Sequence, residues 1–401
     1  MYSTLTCNWF LRMCSGTFIV RPAFLLLPAF AALSGFGCTT HQRVESVRTE
    51  ISDLVMVSPK SSFSAVDGAR DFVALPMGRL AVVPSIRRGI HYTINLTDIV
   101  TGEVNFLDVG EKRYPINLAV YGDYSTLLVG TDAVREPRTD GVSSIREPRT
   151  DGVSSIQAWD VRTRSLQREV RLADGLRASV LLAHDANRVY ARNDQWDEGA
   201  IHRIDLQTGK IEDLFGPHSH VREPMPWGVT TIELLSINPK GDEIVIGAWQ
   251  QAIAWDVRKG AERASFRLKS QCQCRHATVS RDGTRIAIAD GDSVVLFDFQ
   301  TGKRIAQLGR GKELHTIGAV AFSPNCKFLV VGVSLHTSYP SNIFVWRLAD
   351  LSRPLAFRCH DDNITAISFF PDNGDLVTGS VDGTVRSWEL DKLPWFNKNH
   401  E

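Results

Sequence analysis

The chain lacks an excess of either charge: across 401 residues Lys plus Arg number 45 and Asp plus Glu number 45. That balance gives no general electrostatic drive toward nucleic acid, and no basic stripe supplies one locally. Enzyme signatures are also missing. There is no Gly-rich phosphate loop following a strand, no G-x-S-x-G elbow and no H-E-x-x-H pair. Cysteine is sparse at seven residues. Beyond residue 37 only Cys38, Cys272, Cys274, Cys326 and Cys359 remain. Cys272-Gln-Cys274 is not zinc-finger spacing, and isolated buried or loop thiols are expected. Long apolar runs are absent after the first forty residues. Even the run from Pro22 to Gly37 is shorter than the ~20 residues of a membrane-spanning helix.

What is present begins with that leader. Arg12 and Arg21 precede an uncharged stretch ending in small residues, the layout of a secretory signal over residues 1–37. Leu33-Ser34-Gly35-Phe36-Gly37-Cys38 resembles a bacterial lipobox, which implies acylation of Cys38, a tether over 38–49 and a place in the cell envelope. A plain cleaved signal, an uncleaved anchor and a misread start remain open, the last leaving a cytoplasmic protein.

The pattern after the leader is strand and turn, repeated. Cys359 to Leu390 reads as three strands separated by turns at Pro371-Asp372-Asn373-Gly374 and Val381-Asp382-Gly383. Its third-strand ending recurs at Asn342-Ile-Phe-Val-Trp-Arg347, Ser293–Asp298, Gln251–Asp256, Ala200–Asp205, Ser155–Asp160 and, more loosely, Tyr92–Asp98. From Trp159 through Ile204, Trp255, Phe297 and Trp346 to Trp388 the steps are 45, 51, 42, 49 and 42 residues. Turns such as Asp205-Leu-Gln-Thr-Gly-Lys210 and Asp298-Phe-Gln-Thr-Gly-Lys303 come next, with Gly free to take positive φ.

Residues 359–390 resemble a WD40 repeat, and the recurrence is similar to that family's period of ~40–45 residues. The resemblance implies an all-β fold, a seven-bladed β-propeller over residues 50–392 with a short tail at 393–401. It also implies a hydrogen-bonded set at His360, Thr378, Asp382 and Trp388, read as structural because each buried polar group needs a partner. No other repeat carries the whole set. The seventh repeat lacks a fourth strand after Trp388, since the stretch beyond it is short and broken by Pro394. The expected solution is closure by an N-terminal strand, Glu50–Val57. An exact eleven-residue duplication, Arg135–Ile145 and Arg146–Ile156, is expected to loop out, and only its second copy runs directly into Gln157.

Candidate binding residues gather on the loops of one face: Trp196, His218, His220, Arg222, Trp227, His336 and Tyr339. Aromatics, Arg and His on loops held by a rigid scaffold are the composition of a protein-binding surface. Packing of Trp196 and Trp227 within their own loops is the competing reading. His218-Ser-His220 has two ligand types on one side of an extended segment but no third ligand in the sequence. The expected function is therefore a noncatalytic interaction scaffold in the envelope with protein partners, no nucleic acid, no cofactor and no metal. A periplasmic propeller enzyme or cofactor carrier, similar to the quinoproteins through its Asp-x-x-Thr-Gly turns, is the alternative.

Overall fold

A computed structural model describes residues 61–393 except 65–68, 85–90, 100, 112, 122, 134–153, 173–179, 194–199, 216–231, 271, 310–313, 315, 335–341, 352–353 and 373. All lie within one compact unit, Ser52–Glu401. Its strands pair antiparallel into seven four-stranded sheets among the described residues. Six are meanders of consecutive strands, spanning 69–111, 113–171, 180–215, 233–267, 277–308 and 317–357.

The seventh sheet takes three strands from 364–388 and its outer strand from Ser61–Ser64. Ser61 stands opposite Ser387 and Ser64 opposite Thr384. The expected closing strand, Glu50–Val57, is thus corrected: the position beside Thr384–Trp388 belongs to residues 61–64, and 50–57 lie outside the described residues. An outermost strand is held mainly by its ladder of backbone bonds, so the more apolar segment has no automatic advantage there.

The third strands read as almost unbroken apolar runs because both of their faces are covered. Gln251–Asp256 buries Ala252, Ile253, Ala254 and Trp255, and Ser293–Asp298 buries Val294 through Phe297. Each apolar cluster spans two successive sheets. Leu75, Ile94 and Leu107 of the first sheet meet Leu127 and Trp159 of the second. Around the unit the same holds for each neighbouring pair. The last cluster joins Phe370, Val377 and Val385 of the seventh sheet to Phe72 and Ala74 of the first. Sheet packing thus returns to its starting point, the architecture of a β-propeller.

Aspartates fasten the turns between third and fourth strands. The Thr101 amide donates to Asp98 Oδ1 at 2.9 Å, that of Thr208 to Asp205 at 2.9 Å, and that of Thr301 to Asp298 at 2.7 Å. These bonds hold the Asp205 and Asp298 carboxyls below the usual range, the amides of Thr208 and Thr301 being the chief causes. Gly102, Gly209 and Gly302 complete these turns at φ of 74°, 73° and 70°, where a side chain is strained.

The duplicated segment enters the second sheet through its second copy. Ser155 and Ile156 open the strand Ser155–Asp160 and are fully buried, Ser155 bonding to Thr131 Oγ1 at 2.8 Å. Arg135–Ile145 and the start of the second copy lie outside the described residues.

Candidate functional site

A dense buried polar network sits on the seventh sheet. Thr378, on the middle strand Leu376–Ser380, presents its hydroxyl to His360 Nε2 at 2.8 Å and accepts the Trp388 indole N–H at 2.9 Å. On the other side of the ring, His360 Nδ1 lies 3.1 Å from Asp382 Oδ2 and 2.9 Å from Thr384 Oγ1. Asp382 also accepts from the Asp361 and Thr384 amides, at 2.9 and 2.8 Å, and from the Thr384 hydroxyl at 2.7 Å.

One protonation pattern satisfies every member. Neutral His360 carries its proton on Nδ1, toward Asp382 and Thr384, and its Nε2 accepts from Thr378 O–H. Thr378 Oγ1 in turn accepts from Trp388. Burial is the main force holding the His360 imidazole below its ordinary pKa, working against the Asp382 charge. Burial also opposes ionisation of Asp382, but the Thr384 hydroxyl and the Asp361 and Thr384 amides outweigh it and the carboxyl stays low. Chemically the arrangement is a saturated chain with a neutral base and an anchored acid, and it holds the connection Arg358–Asn363 to the sheet.

Neighbouring groups extend it. Buried Asn342 donates to the His360 and Asp362 carbonyls at 3.0 and 3.2 Å and accepts the Cys359 amide at 2.9 Å. Arg386 donates to the Cys359 carbonyl at 2.6 Å. Burial pushes the Cys359 and Cys274 thiols up, the latter to about 12, so neither is a thiolate at neutral pH. The four described cysteines are free. Sequence reasoning missed Thr384 and Asn342, whose parts depend on reaching backbone or carboxylate across a turn; the Asp-Gly-Thr run at 382–384 was the available signal for Thr384.

The second sheet shows what replaces the set where His is missing. Trp159 donates its indole N–H to Gln157 Oε1 at 3.1 Å, and Gln157 passes the chain to the Val109 carbonyl of the first sheet at 3.0 Å.

The candidate loop residues Trp196, His218, His220, Arg222, Trp227, His336 and Tyr339 lie outside the described residues, as does Cys38. The strand ends that flank their segments, Asn193 and Ala200, Phe215 and Glu233, and Val333 and Ile343, belong to the third, fourth and sixth sheets. In an antiparallel meander these ends share one edge of the sheets. Among the described residues no group of three or more His, Cys, Asp or Glu is placed to hold a metal ion.

Residues 352–389 match the family model described as WD domain, G-beta repeat. The chain is 27% identical over 151 residues to apoptotic protease-activating factor 1 of Mus musculus, covering 35% of this chain and 12% of that protein. It is 32% identical over 110 residues to a guanine nucleotide-binding protein subunit beta of Zea mays, covering 27% of this chain and 28% of the relative. The chain thus spans well under half the length of these relatives. A chain in a crystal structure of the mitotic checkpoint complex superposes with a TM-score of 0.63 at 14% identity, over 90% of this chain and 99% of that one, which speaks to the fold alone. The protein therefore carries a WD40 repeat at residues 352–389, set in a β-propeller.

Proposed function

We propose that the protein is a noncatalytic protein-interaction scaffold, its seven sheets forming seven blades of a closed ring, held in the cell envelope by a lipid on Cys38. One observation supports the noncatalytic reading above others: the buried His–carboxylate pair is fully engaged, His360 by Thr378, Thr384 and Asp382, and Asp382 by the Asp361 and Thr384 amides and the Thr384 hydroxyl as well. A general base needs a free lone pair within reach of substrate, and here none is left over. One matched relative, a G-protein subunit beta, is by its name a component of an assembly. The WD40 match and the propeller fold support a rigid platform that carries recognition on its loops.

Affinity capture from membranes tests the scaffold. Partner proteins retained by the parent and lost on Trp227→Ala are expected; a chromophore or metal carried through purification would favour the enzyme or cofactor carrier instead. Fractionation tests the anchor separately. Cys38→Ala is expected to move the protein from the membrane to the soluble fraction, and unchanged partitioning would remove the lipid from the account and leave the plain-signal and cytoplasmic alternatives.

A further inference from the structure

Two of the four described thiols, Cys272 and Cys274, stand two residues apart. They lie on the connection from the fourth sheet to the fifth, beside the hairpin tip Trp249-Gln250 that joins the second and third strands of the fourth sheet. The backbone there is fixed from both sides. Trp249 and Gln273 form an antiparallel bridge: the Gln250 amide donates to the Cys272 carbonyl at 3.0 Å and the Cys274 amide to that of Ala248 at 3.1 Å. The fifth sheet holds the stretch before it, Asp290 accepting the Lys269 and Ser270 amides at 3.0 and 2.9 Å. The fit is close. A Cβ on Gly247 would come within 2.2 Å of the Cys274 carbonyl oxygen, so only glycine lets the segment sit so near.

Such a bridge makes Gln273 the centre of a short extended segment. The Gln273 side chain leaves on one side and donates to the Gly247 carbonyl at 3.3 Å, which places Cys272 and Cys274 together on the other. Two residues of rise put their Cα atoms roughly 6.6 Å apart, at the long end of the ~4.4–6.8 Å that a disulfide spans. The thiols differ in access. Cys272 is half-buried, with Sγ 3.3 Å from Ser270 Oγ, whereas Cys274 is fully buried in the core between the fourth and fifth sheets. Burial is the chief cause that pushes the Cys274 thiol to about 12 and the charge of Cys272 the next, so the two sulfurs lie within electrostatic reach. The other described thiols do not compete. Cys326 sits on a turn at the opposite edge of the sixth sheet, and buried Cys359 is bonded to Asn342.

We propose that Cys272 and Cys274 are a redox pair, closing to a disulfide when a low-molecular-weight disulfide is present and opening again with thiol. With oxidised glutathione as that disulfide, Cys272 reacts first, because it is the accessible thiol. Its thiolate attacks one glutathione sulfur, and the other glutathione leaves as a thiolate. Cys274 then gives up its proton, attacks Cys272 Sγ and displaces the second glutathione. The protein loses two electrons and two protons, and the oxidant becomes two molecules of reduced glutathione. A bond made at the long end of the span is strained, and strained disulfides are the readily reduced ones. The bond ties the connection beside the Trp249 turn, at the same edge as the strand ends Asn193 and Ala200. It forms whether or not a protein partner is bound, so it stands apart from the scaffold reading.

The test uses the full chain with Cys272→Ser and Cys274→Ser beside it. Each is treated with oxidised glutathione, alkylated and digested with trypsin, and the peptide 270–275 is measured by mass spectrometry. In the parent this peptide is expected to lose two hydrogens and take up no alkylating agent, and an excess of reduced glutathione restores both thiols. Cys274→Ser stops with one glutathione on Cys272, and Cys272→Ser stays unmodified because Cys274 is buried. A parent peptide that keeps its glutathione or both of its thiols would overturn the proposal. So would a cross-link from it to another cysteine, a Cys272→Ser chain modified as fast as Cys274→Ser, or a bond that resists reduced glutathione. Thermal melting under reduction checks that both variants fold, and the parent's result decides the matter without them. Partner capture lost on Trp227→Ala bears on the scaffold alone and leaves this result untouched.

Discussion

His360 and Trp388 meet on one hydroxyl. Thr378 Oγ1 stands 2.8 Å from the imidazole Nε2 and 2.9 Å from the indole nitrogen, so a single side chain serves two buried partners. Thr378→Val keeps the shape and removes both bonds. The cost is expected at about 1–3 kcal/mol for each group left unpaired, less what local rearrangement recovers. Urea denaturation measures it; a variant with the parent's midpoint would show that the network does not hold the seventh sheet.

Acid should weaken the fold through the same residues. Burial keeps His360 and His276 below the ordinary imidazole pKa in the folded state, with Arg275 adding to the effect at His276. The unfolded chain then takes up protons first, so stability present at neutral pH is lost as pH falls below ~6.5 toward the folded values. The low Asp382 carboxyl acts in the same direction at lower pH, its contribution fading as pH drops below ~3.9. Unfolding midpoints measured between neutral pH and pH ~5 should decline, and His360→Gln should flatten part of that decline. The slope is the readout, since the substitution lowers the absolute level at every pH. An unchanged slope would mean that the imidazole titrates normally.

The seam between the seventh and first sheets depends on an absent side chain. A Cβ at Gly379 would come within 2.6 Å of Phe72 Cε1. Gly379→Ala is expected to cost about 1–3 kcal/mol by overpacking, and adding Phe72→Leu should return part of it. A double-mutant cycle with no coupling would place the two residues apart and open the ring at this point.

Arg263 joins the fourth and fifth sheets. Its guanidinium donates to the Phe299 and Gln300 carbonyls at 2.9 and 3.2 Å, pairs with buried Glu243 and lies 4.6 Å from the Phe299 ring centroid. Arg168 grips the Leu206 and Gln207 carbonyls in the same manner between the second and third sheets. Lysine cannot reproduce the fork, so Arg263→Lys should cost about 1–3 kcal/mol. The exposed Arg258→Lys should stay within ~0.5 kcal/mol of the parent and serves as the control. Equal effects of the two would discount the clamp.

Residues whose chemistry is fixed by type were the legible ones. The third-strand endings at Ser155–Asp160, Gln251–Asp256 and Ser293–Asp298 coincide with strands because a sheet covered on both faces leaves an unbroken apolar signal. The set His360, Thr378, Asp382 and Trp388 could be named because residues 359–390 resemble a WD40 repeat; residue type alone says only that an indole, an imidazole and a carboxylate each demand a partner. The closing strand was misplaced because Ile51-Ser-Asp-Leu-Val-Met-Val57 looks more strand-like than Ser61–Ser64, while pairing at an outer edge asks mainly for backbone. The positive φ of Met77 and Arg164 was illegible as well, because neither residue type favours the left-handed region.

The pairing of Ser61–Ser64 with Thr384–Trp388 also sets an order of events. Every other sheet can assemble from neighbouring strands as soon as those strands exist, whereas this ladder must wait for the most distant pairing in the described chain. Closing so long a loop is entropically modest but slow to find by diffusion. Until that ladder forms, the strand Thr384–Trp388 has one bare edge, the kind of exposed backbone with which another copy or a chaperone can pair. The last latch to engage is thus the point at which the protein is most vulnerable to swapping its parts.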